Sequence, residues 1–335
     1  MVTILLQVAS YFNLIFNTEK FKDILLFIKN DHNYYMNRPE NMILQYYARQ
    51  GSKMILYYVS YIYITITAFV LIPTVSLINE LIDHSEERSL PIEIDYGIDI
   101  QEYFYYLFIP LYISMFIVPH VIASCDSTYL LYVHHANALF AIVSYELKTI
   151  HIFDTSSLIN LKDYDLLEKY KDVELSPDEQ KKIFKKLLLC IRRHQNAIRY
   201  SNLVESFFTK SILAQMFCNV VSLSIGGVET ILNLGNTRNA MRFGALALAQ
   251  AIHIFILCFP GQTLLNHSEE VYTAACEVTW YIFPKRCHNL YMFLLTRTMI
   301  FNKITAFKLS VMSMETFLSI IQTAMSYFTV LLSTT

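Results

Sequence analysis

The last apolar stretch of the chain, Ser313–Ser333, carries a regular series of polar side chains. Their spacing alternates between four and three residues: Glu315, Ser319, Gln322, Ser326, Thr329 and Ser333. At about 100° per residue in an α-helix, these positions share an arc of roughly 80°. Since lipid cannot hydrogen-bond such a stripe, we expect it to face water or a polar partner.

A second group of polar residues is the only combination that suggests a metal site. His134 and His135 are adjacent, with His120 and Asp126 upstream. Adjacent histidines project about 100° apart on a helix, so they cannot chelate one ion as an i, i+4 pair does. We therefore predict polar packing, with no metal and no cofactor. No Ser/His/Asp or Cys/His signature is present either, which excludes a recognisable enzyme.

The composition places the chain among membrane proteins. It is 54% hydrophobic and 16% charged, whereas an ordinary soluble domain is about 25% charged. A net charge of −2 provides no basic excess to neutralise phosphates, which argues against nucleic-acid binding. Neither G-x-G-x-x-G nor G-x-x-x-x-G-K occurs, so a nucleotide-binding loop is not expected.

Runs without Asp, Glu, Lys or Arg locate the spanning helices. Each is near or above the ~20 residues that cross a ~30 Å hydrocarbon core. They are Met54–Asn79, Tyr103–Cys125 continuing after Asp126 as Ser127–Tyr145, Ser211–Val228, Phe243–Ser268 and Thr316–Thr335. The shorter run Cys287–Thr296 predicts a helix that begins below the membrane and leads into the last span.

The basic residues set the predicted orientation. Residues 17–53 hold six Lys or Arg and residues 148–210 hold twelve, whereas residues 79–102 hold one among eight acidic residues. The positive-inside rule places the first two stretches in the cytosol, and 79–102 and the C-terminus outside. Residues 1–16 then start outside without a signal peptide, so we expect the chain to be N-terminally truncated and to lack an upstream helix.

These predictions divide the chain into consecutive segments. They are 1–16, the end of a spanning helix; 17–53, a cytosolic loop; 54–147, two spanning helices with the outer loop 79–102; 148–202, a cytosolic loop and helix start; 203–268, two spanning helices; 269–312, a cytosolic assembly region with a short helix; and 313–335, the terminal helix.

A helix start is predicted within the cytosolic stretch. Ser176 fits an N-cap, Pro177 the first helical position, and Asp178 and Glu179 the acidic first turn. Seven Lys or Arg follow between residues 181 and 199. We interpret them as a solvated face, with inner-leaflet lipid contact or subunit assembly left open.

Aromatic residues are dense in the first two complete spans. Those at the outer end, such as Tyr103, suit an interfacial belt. Those nearer mid-span could line a small apolar cavity, with ordinary helix packing as the alternative; they are Phe69, Tyr112, Met115 and Phe116.

The order of several short motifs resembles the insect odorant receptor family. The residues that carry the resemblance are His135, Phe140–Glu146, Cys258-Phe259-Pro260-Gly261, Ser268, Trp280-Tyr281, Thr305-Ala306, Lys308, Ser313–Phe317 and Ser326–Leu331. The resemblance runs from the end of the family's second helix to the C-terminus. The first helix and most of the second are absent, and Pro260 stands where the family does not usually have proline.

The resemblance implies an all-α polytopic membrane helix bundle with about six of seven spans present. It also implies a tuning receptor that binds small volatile ligands and pairs with a shared odorant co-receptor in a hetero-tetramer. Such a complex is a ligand-gated, non-selective cation channel in the plasma membrane of olfactory sensory neurons, with the C-terminus extracellular.

Roles for particular residues follow from the same resemblance. The terminal helix would line the pore through Glu315, Ser319, Gln322, Ser326 and Thr329, and Val330 would match a hydrophobic gate.

The ligand pocket would lie in the outer half of the bundle, between the helices at 54–78, 103–125 and 243–265. We expect it to use Phe69, Tyr112, Met115 and Phe116, with Gln250 and His253 as polar contacts. Helix–helix hydrogen bonding is the alternative for Gln250 and His253.

Two other classes of function are weighed against the channel. A metabotropic seven-helix chemoreceptor is disfavoured by the inverted orientation, by the lack of cysteines in the predicted outer loops and by the absence of D-R-Y and N-P-x-x-Y motifs. A gustatory-type relative is left open as an alternative. A transporter is disfavoured because no pair of broken helices repeats along the chain.

Overall fold

A computed structural model describes residues 17–83, 103–150, 176–235 and 237–334. Seven α-helices occur in these ranges: α1 (Thr18–Tyr35), α2 (Asn41–Asp83), α3 (Phe104–Lys148), α4 (Pro177–Leu232), α5 (Thr237–Glu277), α6 (Lys285–Thr298) and α7 (Met314–Thr334). Two short strands, β1 (Thr305–Ala306) and β2 (Ser310–Val311), and a 3₁₀ turn at Trp280–Ile282 complete the described elements. The predicted span end at 1–16 lies outside the described residues.

The long helices form a bundle in which α3 is central. Helix α3 packs on α2, α4 and α5, and α4 and α5 also pack on each other. Helix α7 lies against α4 and α5, and α1 lies against α4. The predicted polytopic helical architecture is therefore confirmed.

Three described helices are long and apolar enough to cross a membrane: α3, α4 and the part of α5 from Ala240. Helix α3 has 45 residues, which corresponds to about 67 Å at 1.5 Å per residue. Because the hydrocarbon core is only ~30 Å thick, a helix of this length extends well beyond one membrane face.

The start of α4 is fixed by a complete capping box. The Ser176 side chain accepts a hydrogen bond from the Glu179 amide, and the Ser176 amide donates to the Glu179 carboxylate at 2.8 Å. Hydrogen bonds from Ser176 lower the pKa of Glu179. Since Pro177 occupies the first helical position, the predicted helix start is confirmed.

The stretch 17–53, predicted as a loop, is helical over most of its length. Helix α1 buries Ile24 completely, and the Phe21 and Phe27 rings lie 6.2 Å from Tyr132 and 5.1 Å from Tyr200. The apolar side of α1 is interleaved with charged residues, so the sequence reads as polar although one face packs on the bundle.

A buried charged group joins α4 to the end of α3 and to the residue that precedes α2. Arg193 of α4 is 5% exposed, lies 2.8 Å from the Glu40 carboxylate and also pairs with Glu146 of α3. The Arg193 guanidinium stands 5.1 Å from the Tyr35 ring centre. Burial raises the pKa of Tyr35 to about 12, so this phenol stays neutral beside the charges.

The predicted short helix over Cys287–Thr296 is present as α6, and the segment between α6 and α7 contains structure that the sequence does not predict. Strands β1 and β2 form an antiparallel pair there, with Thr305 opposite Val311. Thr209 of α4 holds the turn: its hydroxyl donates to the Thr305 carbonyl at 3.0 Å and accepts from the Phe307 amide at 2.6 Å. The turn residues Phe307 and Lys308 have φ of 52° and 60°, which an α-helix cannot contain.

Helix α5 packs closely on the residues that precede α7, and the contact is made at a glycine. A Cβ added to Gly261 would lie 2.3 Å from the Met312 carbonyl oxygen and 2.6 Å from the Met312 Cβ. Because this space is occupied partly by backbone, only glycine permits the observed contact.

We predict that Gly261→Ala destabilises the protein by about 1–3 kcal/mol, because the added methyl group forces the backbone of Met312 away. The control is Gly235→Ala, since no atom lies within 4 Å of the corresponding Cβ. Melting of detergent-solubilised protein, followed by size-exclusion chromatography, measures the difference. Equal melting of both variants would show that α5 and Met312 are not in tight contact.

Candidate functional site

Helix α7 presents one face to the rest of the chain. Ile320 and Ala324 are buried on this face, and the Phe317 ring lies 5.7 Å from Phe255 of α5. A Cβ at Gly227 of α4 would lie 3.2 Å from the Phe328 ring. This face is set by packing against α4 and α5.

The polar stripe lies on the opposite side of α7. All six of its residues are exposed: Glu315, Ser319, Gln322, Ser326, Thr329 and Ser333. At about 100° per residue, the centre of the stripe is roughly 180° from the packed face. Val330, at the edge of the stripe, is 59% exposed. The stripe is therefore turned away from the bundle of its own chain.

Hydroxyl groups in the stripe bond to their own helix. Ser326, Thr329 and Ser333 donate to the carbonyls of Gln322, Ser326 and Val330 at 3.0, 2.8 and 2.7 Å. Each hydroxyl oxygen keeps acceptor capacity for an outside donor. The stripe can thus contact water without disrupting α7.

The predicted aromatic ligand contacts of α3 lie on a continuous row along its N-terminal part. The Tyr112 ring stacks on Phe108 at 5.4 Å and meets Phe116 edge-on at 5.4 Å. The Tyr112 hydroxyl lies 3.2 Å from the Thr74 hydroxyl of α2. Phe116 is 40% exposed. This row connects α3 to α2.

The other two predicted apolar contacts are Met115 and Phe69. Met115 is half-buried on α3. Phe69 belongs to α2, but its side chain lies outside the described part of the structure.

The predicted polar contacts of α5 lie elsewhere. His253 Nε2 is 2.9 Å from Asp126 Oδ2, and His253 Nδ1 is 3.2 Å from Asn219 Oδ1. Gln250 is half-buried, and its Oε1 atom is buried without a hydrogen-bond partner among the described residues. The helix–helix alternative therefore describes the contacts of His253.

These two groups occupy different depths. Tyr112 and Asp126 are fourteen residues apart on α3, which is about 21 Å along the axis. His253 contacts Asp126, so it lies well below the aromatic row. Phe116, the member of the row nearest to Asp126, is ten residues from it, so a ligand that reached both groups would have to span about 15 Å. Gln250 lies about one turn nearer to the start of α5.

Asp126 is the centre of a set of side chains that we call the buried polar cluster: Tyr58, Asp126, Gln215, Asn219 and His253. The Tyr58 hydroxyl makes a short hydrogen bond to Asp126 Oδ2, and Gln215 Nε2 donates to Oδ1 at 3.2 Å. Four helices, α2, α3, α4 and α5, each contribute to the cluster. The sequence signal for it was one carboxylate interrupting a long charge-free run, but its partners are 68 to 127 residues distant.

The histidines weighed as metal ligands have separate partners. His120 faces the Phe116 carbonyl at 2.6 Å, His134 faces Met54 Sδ at 3.4 Å, and His135 faces Asp31 at 3.0 Å. Among the described residues, no group of three His, Cys, Asp or Glu could hold a metal ion.

The sequence matches the family described as 7tm Odorant receptor over residues 1–325. This match covers nearly the whole chain. The chain belongs to the odorant receptor family. It is a multi-pass membrane protein of a receptor family rather than of an enzyme family.

Two curated relatives come from Drosophila melanogaster. Odorant receptor 13a is 27% identical over 158 residues, which are 43% of this chain and 37% of that protein. Odorant receptor 63a is 25% identical over 165 residues, 47% of this chain and 38% of that protein. The matched part of this odorant receptor family member thus spans less than two fifths of each relative.

Solved structures share the fold. The olfactory receptor OR5 from Machilis hrabei, in complex with eugenol, superimposes with a TM-score of 0.68 at 14% identity, covering 100% of this chain and 80% of that chain. A second structure of the same receptor gives a TM-score of 0.64 at 14% identity, covering 100% of this chain and 79% of that chain. This likeness establishes the insect odorant receptor fold.

We predict that Phe116→Ala changes the order in which odorants activate the receptor, because the substitution removes a ring from the end of the aromatic row that lies nearer to the buried polar cluster. The neighbouring variant Ile117→Ala is the control, since Ile117 projects about 100° away on α3. Responses to a panel of odorants, normalised to surface labelling, measure the effect. A uniform loss of response to every odorant would indicate folding damage and contradict a role in ligand selection.

Proposed function

We propose that this chain is the tuning subunit of a ligand-gated, non-selective cation channel. It binds small volatile organic molecules and assembles with a shared odorant co-receptor as a hetero-tetramer in the plasma membrane of olfactory sensory neurons, with its C-terminus extracellular. The observation that carries this proposal is the polar stripe of α7, which is exposed on the side away from the described part of the bundle.

A single copy of α7 offers only one wall of a pathway. Several subunits arranged around an axis would turn their stripes toward one another and enclose water between them. This arrangement satisfies the polar side chains, which hydrocarbon cannot do. The apolar face of α7 then remains packed on α4 and α5 of its own subunit.

The proposed gate is Val330 near the outer end of α7. Its apolar side chain is 59% exposed beside the stripe. A ring of such side chains can close a pore by excluding water from a constriction. The remaining pore-lining residues, from Glu315 to Thr329, provide the polar wall below it.

The proposed ligand site lies above the buried polar cluster, at Phe69, Tyr112, Met115 and Phe116, with Gln250 toward its floor; His253 belongs to the cluster below it. Apolar and aromatic walls suit volatile organic molecules, and a few polar groups can orient them. The solved relative in complex with eugenol supports a small aromatic volatile as the class of ligand.

We predict that Gln322→Lys depresses the odorant-evoked cation current, because a fixed positive charge in a narrow path repels cations. The measurement is single-channel conductance in cells that lack olfactory G proteins and express the chain with the co-receptor. Surface labelling is recorded in parallel. Gln322→Leu is the control, since it changes polarity and retains a similar size without adding charge.

Normal conductance of Gln322→Lys at normal surface levels would remove the pore-lining role. An odorant response that disappears under G-protein blockade would favour the metabotropic alternative instead. Reduced surface labelling with unchanged conductance would show that Gln322 packs between subunits.

A further inference from the structure

Asp126 is a carboxylate almost completely withdrawn from solvent. Asp126 is 2% exposed. It is the only Asp, Glu, Lys or Arg between Tyr103 and Tyr145. Three donors from three other helices face its two oxygens: Tyr58 and His253 at Oδ2 and Gln215 at Oδ1. An ionised carboxylate at such a position is costly unless a positive charge accompanies it.

His253 is the group that can supply this charge. Among the described residues, it is the only one at ion-pair distance from Asp126, at 2.9 Å. The other titratable side chains near Asp126 are Tyr58, Cys125 and Tyr129. None of these carries a positive charge in any protonation state.

The second ring nitrogen of His253 also faces an oxygen. Its Nδ1 atom lies 3.2 Å from Asn219 Oδ1. An imidazole with acceptors on both sides is fully hydrogen-bonded only when both nitrogens carry hydrogen, which is the cationic form.

We propose that His253 is protonated and forms with Asp126 an intramembrane ion pair that ties α2, α3, α4 and α5 together below the ligand site. His253 and Asp126 then act as positioning residues of the bundle, and not as ligand contacts. The ion pair itself does not depend on the proposed channel function, whereas its effect on gating rests on that function.

The position of the cluster connects it to the terminal helix through α4. Asn219 and Gly227 are eight residues apart on α4, about 12 Å along its axis. Asn219 contacts His253, and Gly227 contacts the Phe328 ring of α7. The helix that completes the buried polar cluster is thus also the helix against which the proposed pore helix packs.

A double-mutant cycle on the purified full chain in detergent tests the ion pair. Asp126→Asn and His253→Gln each remove one charge and leave the other buried without its partner, whereas the double variant leaves neither. We expect the drop in melting temperature of the double variant to be smaller than the sum of the two single drops. Drops that simply add, or loss of all three proteins alike, would overturn the ion pair.

The matched control combines Asp126→Asn with His120→Gln. His120 lies on α3 and faces the Phe116 carbonyl rather than a carboxylate, so these two effects should add. Non-additivity of the same size in the control pair would contradict a specific coupling between Asp126 and His253.

Current recordings with the co-receptor test the positioning role. We expect each single variant to shift the odorant concentration for half-activation at least threefold while the rank order of odorants is preserved. A changed rank order would place His253 in the ligand site and overturn this role. Absence of current from the unmodified chain would count against the proposed function alone, because the melting cycle still decides the ion pair.

Discussion

A polar side chain in the hydrocarbon of a membrane has to find a polar partner, since lipid offers none and the cost of an unsatisfied group is several kcal/mol. The described structure meets this constraint in two ways. Asp126 is enclosed by donors from three other helices of the same chain. The six polar residues of α7 are exposed on the side away from the bundle. The first arrangement satisfies the buried carboxylate within the subunit. The second leaves a polar surface on α7 that needs water or another subunit.

These two arrangements divide the bundle by function. The aromatic row of α3 lies toward one end of the long helices, and the buried polar cluster lies about 21 Å farther along α3 from Tyr112. Helix α4 joins the cluster and also packs on α7. In the proposed receptor, ligand selection would belong to the aromatic end, whereas the cluster would fix how the helices stand relative to the pore helix.

The sequence was sufficient for features that depend on neighbouring residues. The long charge-free runs predicted the bundle, the Ser176 cap predicted the start of α4, and the 4–3 spacing predicted a polar face on α7. Features that depend on distant residues were not predicted. Helix α1 has no clear local signature because its packed residues, such as Ile24, are interleaved with charges. The β1–β2 pair is too short to leave a periodic pattern.

The candidate site was predicted only in part for the same reason. Asp126 was noticed, but as a potential metal ligand, because nothing local indicates that His253 and Gln215 meet it. His253 was identified as a polar residue of the bundle interior, with ligand contact and helix pairing both open. The contacts of His253 with Asp126 and Asn219 favour hydrogen bonding between helices. Because these partners are distant in the sequence, no local spacing predicts the contacts.

The proposed channel requires that the polar face of α7 borders a water-filled path. The accessibility of cysteines placed along α7 tests this requirement most directly. Single cysteines would be placed at Ser319, Gln322 and Ser326 on the stripe, and at Leu318 and Met325 beside it, with Cys276→Ser lowering the background. A charged, membrane-impermeant thiol reagent applied to open channels should change the current through the three stripe variants and spare the other two. Equal modification at all five positions, or modification only at Leu318 and Met325, would contradict a pathway along this face.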